Sequence, residues 1–207
     1  MATTGEENHI VKILHTEFVT HNVKQFKVEK PTGYKFTPGQ ATEISINQPV
    51  WKEEKRPFTF TSLNEWDHLE FTIKIYNDHK GVTNELGKLV SGDELILRSA
   101  FGTINYFGEG VFIAGGSGVT PFIAILRQLK QQDKLENNTL IFSNKMEKDI
   151  ILKNEFTQML GNHFINTLTN EKTEAYYNSL INKQFLNEKI DDFSQYFYFF
   201  VKKLFIN

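Results

Sequence analysis

Arg56-Pro57-Phe58-Thr59 places a guanidinium, an aromatic ring and a hydroxyl on one short extended segment, and each could serve a different part of one ligand. Arg56 could make paired charge-assisted hydrogen bonds to a phosphate, Phe58 could cover one face of a planar ring system, and Thr59 could donate to a ring nitrogen. In an ideal strand Arg56 and Phe58 share one face while Pro57 and Thr59 share the other. Bringing all three groups to one ligand therefore needs a bend or a strand end. Pro57, which has no amide to give a ladder, marks such an edge. Residue types alone favour a plainer reading, a surface arginine and a packed phenylalanine.

Two further segments carry the chemistry of anion binding. Lys80-Gly81-Val82-Thr83, at the start of a predicted helix, offers an amide cluster and a hydroxyl suited to a pyrophosphate. Gly115-Gly116-Ser117-Gly118-Val119-Thr120-Pro121 follows Val111-Phe112-Ile113-Ala114, a run apolar on both faces like a central parallel strand. Without side chains, Gly115, Gly116 and Gly118 let the backbone approach a dinucleotide pyrophosphate and take positive φ, while the amides of the next helix point at the anion. Thr120 and Pro121 fit the cap and first position of that helix. A tight strand-to-helix turn with no ligand is the alternative, and the context favours the nucleotide.

The elements that must position these groups fall into two patterns. From the start to about Ser99, apolar residues alternate, as in Ile44 and Ile46, then Leu69, Phe71, Ile73 and Ile75. Turn signals interrupt at Pro31-Thr32-Gly33, Pro38-Gly39 and Ser91-Gly92-Asp93. This predicts a small antiparallel barrel or sandwich, with one short helix near Val82 to Leu89. After Asn105 strand and helix alternate: Val111 to Ala114, Pro121 to Gln131, Thr139 to Phe142, Ile150 to Leu160, Phe164 to Leu168, Asn182 to Lys189, and Tyr196 to Val201. Phe122, Ile125, Leu126 and Leu129 recur at helical spacing, so one face of the first of these helices packs on a sheet. The expected fold is β plus α/β: an N-terminal antiparallel β-barrel over 1–104 and a doubly wound parallel-sheet domain over 105–207.

Composition narrows the function classes. With 207 residues, a net charge of -2 and no basic block, nucleic acid is not an expected partner. No apolar run has the length of a membrane helix and the start lacks a signal-peptide core, so no membrane span and a cytoplasmic location are expected. The absence of cysteine excludes disulfides, thiolate-held iron-sulfur clusters and cysteine nucleophiles, leaving redox chemistry to a bound organic cofactor. His9, His15, His21, His68, His79 and His163 show no paired ligand spacing, and no metal is expected. Asp191-Asp192 and Glu147 to Asp149 read as helix-start caps or solvated acids, and Ser117 lacks the flanking pattern of a nucleophile elbow.

Taken in order, these segments resemble the ferredoxin-NADP reductase superfamily, particularly its compact flavodoxin and ferredoxin reductases. Phe36-Thr37-Pro38-Gly39-Gln40 looks like the motif ahead of the flavin strand. Arg56 to Thr59 matches the family's Arg-x-Tyr-Ser/Thr signature, with Phe58 in the tyrosine place. Gly81-Val82-Thr83 resembles the flavin pyrophosphate loop, Gly92-Asp93 with Phe101-Gly102 the end of the barrel, and Gly115 to Pro121 the nicotinamide-nucleotide loop.

The resemblance implies FAD held by Arg56 on its phosphates, with Phe58 against the isoalloxazine, Thr59 near N5 as the catalytic side chain, and Pro57 among the cofactor-binding positions. Main-chain groups of Ile73, Lys74, Ile75 and Tyr76 would line the flavin, and Gly81, Val82 and Thr83 its pyrophosphate. Gly115, Gly116, Ser117, Gly118, Val119 and Thr120 would seat NADPH or NADH. Ser143, Asn144 and Lys145 lie where the family often reads a 2'-phosphate, and Lys145 leans toward NADPH. The implied protein is an NAD(P)H-dependent flavoprotein reductase passing electrons to a carrier such as flavodoxin or ferredoxin. Family members usually follow the strand equivalent to Tyr196-Phe197-Tyr198 with a Cys-Gly-Pro-Pro-like loop, where this chain has Phe199-Phe200-Val201-Lys202-Lys203-Leu204-Phe205-Ile206-Asn207. The nucleotide domain is accordingly expected to be incomplete at its C-terminus. The alternative is a flavin- or nucleotide-binding module impaired in catalysis by the loss of that loop.

Overall fold

Alternating side chains build the first unit of the chain. In a computed structural model, which describes residues 8–78, 80–102 and 104–201, the contacts separate Met1–Asn105 from Tyr106–Asn207. His79 and residues 202–207 of the expected C-terminal departure lie outside the described residues.

The first unit contains β1 (His9–Thr20), β2 (Val23–Glu29), β3 (Ala41–Ile46), β4 (Arg56–Thr59), β5 (His68–Lys74), α1 (Val82–Lys88) and β6 (Glu94–Leu97). Its strands form an antiparallel sheet of order β4-β3-β6-β1-β2-β5. A bridge between Phe60 and Phe71, with Thr61 N donating to Glu70 O at 2.8 Å, joins the two end strands and curls the sheet toward a barrel. The interior is filled from alternate positions: Val11 and Ile13, Phe26 and Val28, Ile44 and Ile46, then Leu69, Phe71 and Ile73. Phe26, Phe60 and Phe71 are fully buried, each contributing about 1.5–3 kcal/mol by leaving water. Helix α1 joins the same core through Val82 and Leu86, and Leu89 follows at its end.

The second unit contains β7 (Gly110–Gly115), α2 (Thr120–Gln131), β8 (Thr139–Asn144), α3 (Lys153–Leu160), β9 (Phe164–Leu168), α4 (Lys183–Lys189) and β10 (Tyr196–Phe200). Its sheet is parallel with order β10-β7-β8-β9. One face carries Phe112 and Phe142, which meet Phe122 of α2 and Phe156 of α3 edge-on. On the other, Val111, Ile113 and Ile141 pack with Phe185 of α4. Helices on both faces explain why the central strands are apolar throughout, as the doubly wound expectation required. Among the described residues no helix is long and apolar enough to cross a membrane.

Helix starts depart from the sequence expectation. The helix expected from Ile150 begins at Lys153, because Ile150 and Ile151 are buried and Leu152 turns left-handed at φ 51. Asn182 is a cap, accepting the Phe185 amide at 2.8 Å. The acids divide similarly. Asp149 accepts the Met146 amide ahead of a 3₁₀ turn over Glu147–Asp149. Asp192 instead closes a turn after α4 by accepting the Ser194 amide, and the Ser194 hydroxyl, then that amide, hold its carboxyl pKa below the ordinary range.

Candidate functional site

Strand β4 ends the sheet of the first unit and pairs with β3 through Arg56↔Ile44, Pro57↔Glu43, Phe58↔Thr42 and Thr59↔Ala41. Its exposure falls along its length. Arg56 and Pro57 are exposed, Phe58 and Thr59 are half-buried, and Phe60 is sealed in the core. The strand thus runs from solvent into the seam closed by Phe60 and Phe71, the strand end that Pro57 implied. Arg56 Nη1 donates to Lys55 O at 2.7 Å, and Nη2 lies 3.4 Å from Glu54 Oε2 with both side chains about half exposed. An exposed pair of this kind is worth about 0–1 kcal/mol, so a phosphate can displace it. Phe58 packs on the barrel core. Thr59 Oγ1 is buried and has no hydrogen-bond partner among the described residues.

That orphaned hydroxyl is the sharpest chemical observation in this unit. A buried polar group left unpaired costs about 1–3 kcal/mol, so such atoms in folded proteins usually meet a ligand or a water. At the other end of the sheet, Ile73 and Ile75 turn their side chains into the core. Only their main chain is available to a ligand. Lys74 and Tyr76 are half-buried, with the Lys74 ammonium 5.9 Å from the centre of the Tyr76 ring. Gly81 caps α1 in an extended conformation, φ -145, with no side chain bonding the first turn. Val82 is a core residue, which leaves the amides and the half-buried Thr83 to face a ligand. Side chains at Ile73, Ile75 and Val82 are thereby assigned to packing.

The glycine loop of the second unit differs in detail from its sequence reading. β7 runs into a 3₁₀ turn over Gly116–Val119, and α2 continues from it without a break. Gly116 has positive φ, at 53, whereas Gly115 is extended at φ -132. Gly118 is not among the positive-φ residues, and its need for glycine is steric: an added Cβ would collide with the carbonyl oxygen of Phe200 on β10. Thr120 lies inside α2 and gives its hydroxyl back to Ser117 O at 3.0 Å, so it does not cap the helix, and Val119 takes the cap position. The amides that open the helical segment therefore belong to the 3₁₀ turn, one turn earlier than the Thr120-Pro121 signal indicates.

At the carboxyl ends of β8 and β9 the sheet buries polar groups in place of apolar ones. Ser143, Asn144, Asn166 and Thr167 are all buried. Thr167 is satisfied, donating to Ser179 O at 2.6 Å. Among the described residues, Ser143 Oγ, both amide atoms of Asn144 and Asn166 Oδ1 have no partner. Gly115 lies beside Ser143 in the sheet register, so Ser143 adjoins the glycine loop, while Asn166 lies one strand further out on β9. Lys145 is exposed. Carboxyl ends of parallel strands are where open α/β sheets receive ligands, and unpaired donors and acceptors there fit the sugar and phosphate groups of a nucleotide. Asn166 was missed in the sequence, although an asparagine within Phe164-Ile165-Asn166-Thr167-Leu168 was a visible break in an apolar strand.

The loop after β9 is held against this edge. Thr169 N donates to Asn144 O and Asn170 N to Lys145 O, both at 2.9 Å. Lys153 Nζ and Tyr176 OH meet the same oxygen of Glu147, at 2.5 and 3.0 Å. The Lys153 bond, then the Tyr176 bond, hold the Glu147 carboxyl below its ordinary range. None of this clasp was visible as a motif.

Known proteins place both units. Residues 10–106 match the family described as oxidoreductase FAD-binding domain, and residues 112–199 match the oxidoreductase NAD-binding domain. NADH-cytochrome b5 reductase 1 of Bos taurus is 26% identical over 196 residues, covering 76% of this chain and 62% of the relative. Plasma membrane-associated coenzyme Q6 reductase of Saccharomyces cerevisiae is 32% identical over 123 residues, covering 56% of this chain and 39% of that one. The chain spans about three fifths of the length of the first of these relatives. Among solved structures, the CS-b5R domains of human Ncb5or superpose with TM-score 0.78 at 23% identity, over 93% of this chain and 61% of that one. Ferredoxin NADP+ reductase from Neisseria gonorrhoeae, with bound FAD and NADP, superposes with TM-score 0.73 at 22% identity, over 88% and 76%. With the one domain following the other, the chain belongs to the oxidoreductases built from an FAD-binding domain and an NAD-binding domain, and it shares its fold with these reductase structures.

Proposed function

We propose that this protein is an FAD-dependent reductase that takes reducing equivalents from NADH or NADPH and delivers them to a one-electron carrier. The observation that carries the reading is the buried, unpartnered hydroxyl of Thr59 on a strand that opens to solvent at Arg56. Arg56 binds the flavin phosphates, Phe58 lies against the ring, and Thr59 orients the ring edge with its free hydroxyl. The main chain of Ile73 to Tyr76 and the amides of Gly81 to Thr83 complete that site. Gly115 to Val119 hold the pyrophosphate of the nicotinamide nucleotide, with Ser143 and Asn144 at its sugar end. FAD, when bound, accepts hydride and releases electrons one at a time, and the protein supplies position and electrostatics. The barrel unit, 1–104, is the flavin domain and 105–207 the nucleotide domain.

Relatives named NADH-cytochrome b5 reductase support NADH as the donor and a haem protein as the acceptor class, beside the flavodoxin or ferredoxin suggested by the sequence resemblance. Anaerobic stopped-flow mixing of the FAD-loaded protein with NADH and with NADPH tests the reading. Rapid loss of the oxidised-flavin absorbance is the expected result, faster with NADH. Tight nucleotide binding with no bleaching would favour the catalytically impaired binding module, and a protein that takes up no FAD would overturn both.

A further inference from the structure

Lys24 is a buried lysine, 6% exposed, inside the first unit. It lies on β2 with Phe26 and Val28 at alternate positions, so its side chain runs along the barrel's interior face. Its ammonium donates to Gly87 O at 2.9 Å, in the last turn of α1, and to Leu89 O at 2.6 Å, at its C-cap. The Phe18 and Phe26 ring centres lie 5.3 and 5.5 Å from Nζ. Burial disfavours the charged form and lowers its pKa, and the Asp93 charge only partly opposes this. A charge kept in an apolar setting at such a cost has to be matched by what it binds.

What it binds is a helix that cannot stand alone. At seven residues α1 is far below the length at which an isolated helix is stable. Its amino end has no side-chain cap, and its exposed Lys88 is engaged with Glu85 at 2.7 Å. The backbone of the same part of β2 holds the end of β5: Lys24 pairs with Ile73, Val23 with Lys74, and Ile75 N donates to Asn22 O at 2.8 Å. Helix α1 also touches this end of β5, where a Cβ at Gly87 would lie 2.8 Å from Ile75 Cγ2. One residue therefore ties the end of β5 through its backbone and the end of α1 through its side chain.

We propose that Lys24 is a positioning residue for flavin binding, fixing α1 against the end of β5 so that both segments present their main chain to FAD in one register. This rests on the flavin reading above. Lys24 acts without touching the cofactor, since its ammonium is committed to the carboxyl end of α1. Lys24→Met keeps the length and apolar stem and removes the donors. Lys24→Arg keeps a charged donor. Lys24→Gln serves as a second neutral variant should the methionine protein fold poorly.

The test is FAD affinity by fluorescence titration of the apoprotein, with amide exchange of α1 and a melting curve on the same samples. For Lys24→Met and Lys24→Gln we expect FAD binding about tenfold weaker and faster exchange at Leu86 to Leu89, with exchange in β1 and β6 unchanged. Lys24→Arg should recover most of the affinity, which loss of general stability would not explain. FAD affinity within about twofold of wild type in a folded Lys24→Met protein overturns the inference alone, as does uniform loosening of the whole barrel. A wild-type protein that takes up no FAD overturns the flavin reading and this inference with it.

Discussion

Thr59 separates stability from function at the scale of one side chain. Its buried hydroxyl has no partner among the described residues, so Thr59→Val, which keeps the shape and removes the polar atom, should leave the melting temperature unchanged or slightly higher. Flavin reduction by NADH should nevertheless slow by roughly tenfold, the loss of one hydrogen bond worth about 1.4 kcal/mol at the reacting edge. A matched set of melting curves and single-turnover rates checks this, and an equal fall in both would assign the hydroxyl to packing. Phe58 was legible as a ring in the tyrosine place because the Arg-x-aromatic-Thr order is local. The orphaned state of Thr59 was not legible, since it depends on how β4 sinks from an exposed Arg56 to a sealed Phe60. Lys24 and Asn166 escaped the sequence reading for a related reason: polar residues within apolar strands announce that something must satisfy them without saying what.

At the scale of elements, glycine has two different uses in one loop. Gly116 needs left-handed backbone freedom, whereas Gly118 is needed for the close approach of β10 at the Phe200 carbonyl. Gly118→Ala should therefore destabilise the second unit by about 1–3 kcal/mol, the range for overpacking a tight contact. Chemical denaturation read by the aromatic signal of β10 measures it, and a neutral result would show that the strand yields. The sequence motif placed the loop correctly but could not divide its glycines, because the division comes from a strand far along the chain. A second element-scale expectation concerns the clasp of Glu147, Lys153 and Tyr176. The folded carboxyl of Glu147 titrates below its ordinary value of 4.5, chiefly through Lys153 and then Tyr176. Its contribution is thus complete above that value and is lost as pH falls through the lowered one. Protection of the Thr169 and Asn170 amides, taken relative to their intrinsic exchange rates, should fall on acidification below 4.5, and Glu147→Gln should remove that step from the profile. An unchanged profile in the variant would assign the acid response to other carboxylates.

Each unit, considered as a whole, has its own buried core and its own candidate ligand, so ligand protection should map separately onto the two. The first unit is cored by Phe26, Phe60, Phe71 and their neighbours, and the second by Ile113, Ile141 and Phe185 with the facing Phe112 and Phe142. A ligand at about a hundred times its Kd stabilises the state that binds it by about 2.7 kcal/mol, enough to slow exchange of amides that open by local unfolding. FAD should protect Arg56 to Thr59, Ile73 to Tyr76 and the start of α1. Oxidised nicotinamide nucleotide, added to the FAD-loaded protein, should protect Gly115 to Val119 and the ends of β8 and β9, where Ser143, Asn144 and Asn166 hold unpaired atoms. Peptide-resolved exchange with each ligand in turn reads both footprints. Nucleotide protection confined to the first unit would overturn the assignment of the glycine loop, while FAD protection at that loop would overturn the division of labour between the units. The order of the two footprints along the chain is the feature most legible in the sequence, where alternation gives way to repeated strand and helix after Asn105. The satisfaction of buried polar atoms was beyond its reach, because hydrogen bonds such as Thr167 to Ser179 and Lys24 to Gly87 are set by folding across many residues. Protection at Ser143 and Asn144 would therefore test a feature of the folded surface that no local motif encodes.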